Sequence, residues 1–241
     1  MISRQQAKDA LVAIPAPITT LFAICVVLMN LFANKSVDNL PSFVALDTGF
    51  TLSWVGSLIC DIVVKRFGPK ATITLSVYAF LCNMFAAVFC FIISMIPGTW
   101  GASFDFLPAA TSNAALDETF RGTWFVLMGS SIAFLTSSVV DAIINWQIKK
   151  HMKDDSLKSY SIRALGSTFI SQFIDNFVFA IIVSYNFFGW SLVQCITCSF
   201  IGMLFEFGCE CLFNPLGYKI AKKWDEVDLG QKYLDKYSDN L

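Results

Sequence analysis

The chain has 241 residues, 56% of them hydrophobic and 15% charged, with a net charge of −1 and a mean hydropathy of +0.62. Soluble domains carry about 25% charged residues, so the composition excludes an ordinary soluble protein, and the near-zero charge gives no basis for nucleic acid as a partner. The apolar residues fall in continuous, non-alternating runs of roughly 20, the length that crosses about 30 Å of hydrocarbon as a helix. The predicted class is an all-α polytopic membrane protein.

Six transmembrane helices are expected, at roughly 11–33, 43–64, 71–96, 122–147, 162–187 and 190–213. With the N-terminus inside, 15 of the 17 basic residues fall on inner segments and only Lys35 and Arg121 fall outside. That asymmetry predicts two cytoplasmic termini in a multi-pass protein of the cell (plasma) membrane. No cleavable signal pattern precedes the first run. The expected organisation is a membrane domain over residues 1–223 and a polar, frayed cytoplasmic tail over 224–241.

The first span holds Pro15 and Pro17 near its start, where proline is tolerated. It ends at Asn30 to Ser36, and Asn34-Lys35-Ser36 has the form of a glycosylation sequon too close to the membrane to be used. The second span begins near Phe43 and carries Asp47, Thr51, Ser53, Trp54, Ser57 and Asp61. Such density of polar groups predicts one face on a cavity, although Ser and Thr also bond their own backbone. Gly68-Pro69 marks the next turn. The third span has one interior polar group, Asn83, which reads as interhelical glue. Residues 97–121 are expected to be an outer loop, rich in Trp100, Phe104, Phe106 and Leu107 before Pro108. It reads equally as a lid or as interfacial packing.

The fourth and fifth spans each contain Ser-x-x-x-Asp. Ser137 and Asp141 coincide with Ser171 and Asp175 when the chain is shifted by 34 residues. The two spans run in opposite directions, as in the inverted repeats of transporters. Asp175 stands near the middle of its span between Gln172 and Asn176. A carboxylate at that depth costs about 2.5–3.5 kcal/mol and normally faces protein or a wet cavity. The sixth span has Gln194, then Glu206 and Glu210 one turn apart, which repel unless one is protonated or paired, for example with a cytoplasmic lysine. Pro215 and Gly217 are expected to end it.

Asp61, Asp141, Asp175 and Glu206 thus share the inner half of the membrane with Asn83 and Trp54. Almost no cation is there to pair them; Arg163 is expected at the cytoplasmic mouth. An acidic, cation-poor cavity suits a ligand with several N–H donors, a cation or a proton. Eight cysteines lie in apolar runs, among them Cys195-x-x-Cys198 and Cys209-x-Cys211. With His151 as the one histidine, they read as small buried hydrophobes rather than a metal site. No cofactor motif and no P-loop occurs.

Four stretches resemble the queuosine-precursor transporter family, also catalogued as vitamin-uptake-transporter-like proteins. They are Asn30 to Lys35; Asp61 with Phe67-Gly68-Pro69-Lys70; Arg121 with Ser131-Ile132-Ala133-Phe134 and Asp141; and Arg163 with Ser167-Thr168, Ser171-Gln172, Asp175 and Phe179. Lys65 stands where the family commonly has glutamate. The resemblance implies a six-helix transporter domain that imports 7-deazaguanine bases such as preQ0, preQ1 or queuine. The candidate substrate-binding residues are Asp175, Gln172, Asn176, Glu206, Asp141, Asp61, Asn83, Trp54, Asn30, Phe179 and Arg163. A carboxylate accepts the paired N–H donors of a guanine-like edge, and Trp54 or Phe179 offers a stacking face.

The expected partners are a small purine-like molecule and the bilayer, with a homodimer or a coupling module left open. The substrate-binding subunit of an ATPase-driven, energy-coupling-factor-type vitamin importer is the alternative. An intramembrane protease would need Asp141 and Asp175 about 3 Å apart, and no signature supports one.

Overall fold

The computed structural model describes residues 2–35, 37, 40–41, 46–100, 109–152, 156–186 and 189–237. Ser36 of the sequon, Phe43, the loop residues Phe104, Phe106, Leu107 and Pro108, Phe187 and residues 238–241 lie outside the described residues. Among the described residues the structure is helical: α1 (Arg4–Ala13), α2 (Ala16–Phe32), α3 (Phe50–Phe67), α4 (Pro69–Ser94), α5 (Ala109–His151), α6 (Leu157–Phe179), α7 (Leu192–Glu226) and α8 (Gln231–Tyr237). A π-helical turn, Ala180–Tyr185, continues α6.

Four helical segments are long and apolar enough to cross a membrane: α4, Trp124–His151 of α5, Leu157–Tyr185 and α7. A fifth appears if α1 and α2, bent by 104° at their junction, count as one span. The expected first span is therefore corrected. Ile14 is extended, as a residue before proline prefers, and Pro15 starts a new helix. α1 is then free to pack across the ends of α4 and α8.

The expected second span, α3, is absent from that set because Asp61, Lys65 and Arg66 all fall within its 18 residues. Its setting explains the charges. α3 packs against α2, α4, α5, α6 and α7, and every residue from Leu58 to Lys65 is buried. A helix sheltered by other helices needs no lipid-like surface. The opposite case is α4, which buries Ala71, Leu75, Ala79, Asn83 and Ala87 at fourfold spacing and exposes Leu81, Phe85, Val88 and Phe89. Small residues along one stripe let neighbouring backbones approach.

Three further expectations change. Residues 109–121, expected as loop, extend α5 beyond its membrane-length part; the Trp100 indole donates to Asp117 Oδ1 at 2.8 Å. Pro215 does not end the last long helix, which runs on to Glu226, since one lost N–H is tolerable in the middle of a packed membrane helix. Gln194 is part of a capping box with Ser191 at the start of α7. Gly68, at φ 81°, and Pro69, at the first position of α4, do make the tight turn between α3 and α4.

Residues 224–237 are folded back rather than frayed. Arg66 donates from Nε to the Leu229 carbonyl at 2.9 Å and from Nη2 to Gln231 at 3.1 Å. Phe67, Trp224 and Tyr233 form one aromatic cluster. Asp9 of α1 accepts from Lys236 at 2.7 Å and from the Tyr237 hydroxyl at 2.8 Å. Hydrogen bonds from these two partners hold the Asp9 carboxyl below its ordinary range, and the bond to Asp9 raises Lys236. A lowered acid gives stability that is present above its unfolded pKa and is lost as pH falls through its folded pKa. The raised Lys236 gives stability that is lost as pH rises through its folded value. The melting temperature of Asp9→Asn should therefore lie slightly below wild type at neutral pH and converge with it in strong acid. A gap that persists below the folded pKa of Asp9 would contradict this tie.

Candidate functional site

One end of the bundle carries both termini, and the other is formed by the end of α2, the start of α3, the end of α6 and the start of α7. A cavity opens at that second end. It encloses about 630 Å³ of empty space, open solvent at its mouth included. Asp175 and Asn176 enter it from α6, Glu206 from α7, Ser53 from α3 and Asn30 from α2, with Phe179 on its wall.

The side chains are held by one another. Asn176 donates to Glu206 Oε2 at 2.9 Å, and the Ser53 hydroxyl donates to Glu206 Oε1. Gly202 of α7 faces Asn176, and a Cβ there would come to 2.9 Å from Asn176 Oδ1. Asn30 accepts from Ser130 through its Oδ1. Its buried Nδ2 has no hydrogen-bond partner among the described residues.

A second, narrower cavity of about 330 Å³ lies beneath, lined by Ser57, Ser137, Asp141, Ser171, Gln172 and Asp175 among others. Here the two Ser-x-x-x-Asp units cross. Ser137 of α5 donates to Asp175 of α6 at 2.7 Å, and Ser171 of α6 donates to Asp141 of α5 at 3.1 Å. Two antiparallel helices that exchange the same bond in both directions have a local twofold relation, as an inverted repeat requires. Gln172 donates to Ser57 of α3 at 2.6 Å. No residue lining either cavity, among the described residues, is basic.

The other candidates are elsewhere. Asn83 donates to Ser131 between α4 and α5. Trp54 lies outside both cavities: its ring stacks on Phe213 at 4.4 Å and its indole N–H goes to the Thr51 carbonyl. Asp61 lies below the cavities, where it accepts from Asn145 at 2.5 Å. Arg163 is 1% exposed, so it is buried near the terminal end rather than standing at a mouth. Glu206 takes Ser53 and Asn176 as its partners rather than a cytoplasmic lysine.

Sequence reasoning left Asp47, Ser53, Ser57 and Ser130 out of the site. Asp47 lines the mouth and accepts from the Gly49 backbone N–H at 2.7 Å. The signal for the serines was present: Ser53, Ser57 and Asp61 recur every four residues and so share one face of α3. The hydroxyl of Ser53 does bond its own helix, at the Phe50 carbonyl, but it also reaches Glu206.

The sequence profile of the putative vitamin uptake transporter family matches residues 47–220. The chain belongs to that family. No curated protein and no solved structure matches it. The match begins at Asp47 on the cavity mouth and takes in every cavity residue named above except Asn30. Family membership and the apolar helices together point to a multi-pass membrane transporter. Among the described residues no three His, Cys, Asp or Glu side chains are arranged to hold a metal ion.

Lys65, where the resemblance leads one to expect glutamate, is buried on α3 with its Nζ 3.6 Å from Asp225 of α7. In this transporter it braces the terminal end of the bundle. Lys65→Glu would set a carboxylate beside Asp225 in place of a cation. It should lower the melting temperature more than Lys65→Met does. Equal melting of the two variants would show that the ion pair carries no weight.

Proposed function

We propose that this transporter imports purine-like bases, specifically 7-deazaguanines of the queuosine-precursor type, across the cell membrane. In this reading α3 is the sixth span, sheltered by its neighbours, and both termini are cytoplasmic, on the side where the basic residues collect. The observation that carries the reading is the upper cavity, lined by three carboxylates (Asp47, Asp175 and Glu206) and two amides (Asn30 and Asn176), with no cation among its described lining residues. A guanine-like edge presents an N–H and an amino group side by side, and a carboxylate accepts both. The adjacent ring carbonyl needs a donor, which Asn30 Nδ2 supplies. Phe179 gives a flat face for the ring. Glu206 or Asp47 would accept the ammonium of an aminomethyl-bearing base.

A thermal-shift screen of the purified protein tests this. The bases preQ0, preQ1 and queuine should raise the melting temperature, while guanosine and unrelated vitamins should not. No shift with any 7-deazaguanine would remove the substrate assignment. Co-purification with an ATPase and a transmembrane coupling protein would instead place the same cavity in an ATP-driven importer.

A further inference from the structure

A separate buried polar group lies below the cavities, towards the terminal end. Its centre is Asp61 of α3 and Glu210 of α7, both 0% exposed; Asp61 Oδ2 and both Glu210 carboxyl oxygens have no hydrogen-bond partner among the described residues. From α5, Asp141 and Asn145 face it. From α6 come Tyr160 and Arg163, whose guanidinium carbon lies 5.9 Å from the Tyr160 ring centroid. On α3 itself Cys60 adjoins, and Lys65 lies one turn further on, turned to Asp225. From α4 the Ser76 hydroxyl approaches, beside Cys60. Neither Asp61 nor Glu210 lines a cavity.

Two ionised carboxylates have only acceptor oxygens. Buried carboxyl oxygens that no donor meets, as on Asp61 and Glu210, are kept in a protein interior by taking up a proton. Three carboxyls stand against the single guanidinium of Arg163, so the group as a whole is short of positive charge. A purely structural network would satisfy its own donors and acceptors. This one does not: the buried Tyr160 hydroxyl and the buried Asn214 Nδ2, one turn beyond Glu210, have no hydrogen-bond partner among the described residues.

We propose that the Asp61–Glu210 pair is a proton-binding site that couples transport to the proton gradient and is distinct from the base-binding cavity. With the proton in place, the carboxyls join α3 to α7 by a hydrogen bond. Without it, two like charges buried between α3 and α7 push these helices apart. The same helices are joined in the upper cavity by Ser53 and Glu206 and at the terminal end by Lys65 and Asp225. Loss of the proton therefore loosens the contact that closes the bundle between cavity and terminal end. Asp141 belongs to both levels. It lines the lower cavity and its buried Oδ2 has no hydrogen-bond partner among the described residues, so a proton arriving from the cavity reaches the pair through it. One proton is taken from the cavity side and released at the terminal end in each cycle, with no other bond made or broken.

The proposal rests on membership of a transporter family and not on the identity of the base, and its test separates the two. Infrared difference spectra of the purified full chain, titrated with acid and no base added, should show a protonated-carboxyl band that Glu210→Gln removes and Asp61→Asn displaces. A band unchanged by both variants overturns the proposal, whatever the substrate. In proteoliposomes, the neutral base preQ0 should accumulate about tenfold under a gradient of about one pH unit at one proton per base. A protonophore should abolish that accumulation. Glu210→Gln should reach only the equilibrium level while exchanging internal for external preQ0 within about twofold of wild type. Accumulation by Glu210→Gln, or accumulation collapsed by a sodium ionophore but not by a protonophore, also overturns it. If preQ0 is neither bound nor exchanged by wild type, the substrate reading fails and the infrared result still decides the proton site.

Discussion

Asp175→Asn is expected to weaken binding of a 7-deazaguanine by about 10- to 150-fold, the equivalent of one hydrogen-bonded charge at about 1.5–3 kcal/mol. The carboxylate offers two acceptor oxygens to the paired donors of the base. The amide keeps the shape but turns one acceptor into a donor, which then faces a donor of the ligand. The fold should tolerate the change, because Ser137, which donates to Asp175 Oδ1 at 2.7 Å, still finds an amide oxygen. The decisive readout is ligand preference. Wild type should favour 7-deazaguanine over 7-deazaxanthine, which carries a carbonyl in place of the amino group, and the variant should lose most of that preference. Isothermal titration of both bases measures it. Unchanged affinity and unchanged preference would remove Asp175 from the site.

Phe67→Ala is expected to cost about 3–5 kcal/mol of stability, the usual range for emptying a fully buried phenylalanine site. Phe67 is 0% exposed, with Trp224 at 5.9 Å and Tyr233 at 6.3 Å between ring centroids. Gly230, at φ 68°, closes the last side, and a Cβ there would come to 2.5 Å from the Phe67 ring. This cluster lies at the end of the bundle that carries the termini, so its burial is from water and the water-transfer scale applies. The same deletion on a lipid-facing surface would have no such driving force to lose. Thermal unfolding in detergent should show the loss. Trp224 fluorescence should shift to the red, and limited proteolysis should cut near Leu229 to Lys232 as α8 undocks. A variant that melts with wild type and resists the protease would show that α8 is held by Arg66 and Asp9 alone.

Much of the candidate site is legible in the order of residues. Spacing alone puts Ser137 with Asp141 and Ser171 with Asp175 on single helix faces. It does not say that each serine serves the other helix's aspartate, because that depends on how α5 and α6 lie together. Trp54 shows the converse. It sits at a suitable depth with a suitable ring, yet it stacks on Phe213, a residue 159 positions away in the chain.

By itself the sequence determined an all-helical membrane chain, the Gly68-Pro69 turn and the set of acids that lipid would not tolerate, because hydropathy, proline geometry and charge cost are local properties. Tertiary structure alone decided that the charged α3 is the sheltered helix, that α7 runs through Pro215 and that residues 224–237 dock on α1 and α3. It also divided the acids into a cavity group around Asp175 and Glu206 and two buried acids that line neither cavity, Asp61 and Glu210. Glu206 and Glu210 stand one turn apart on the same helix, and which helix faces each of them is a property of the packed bundle.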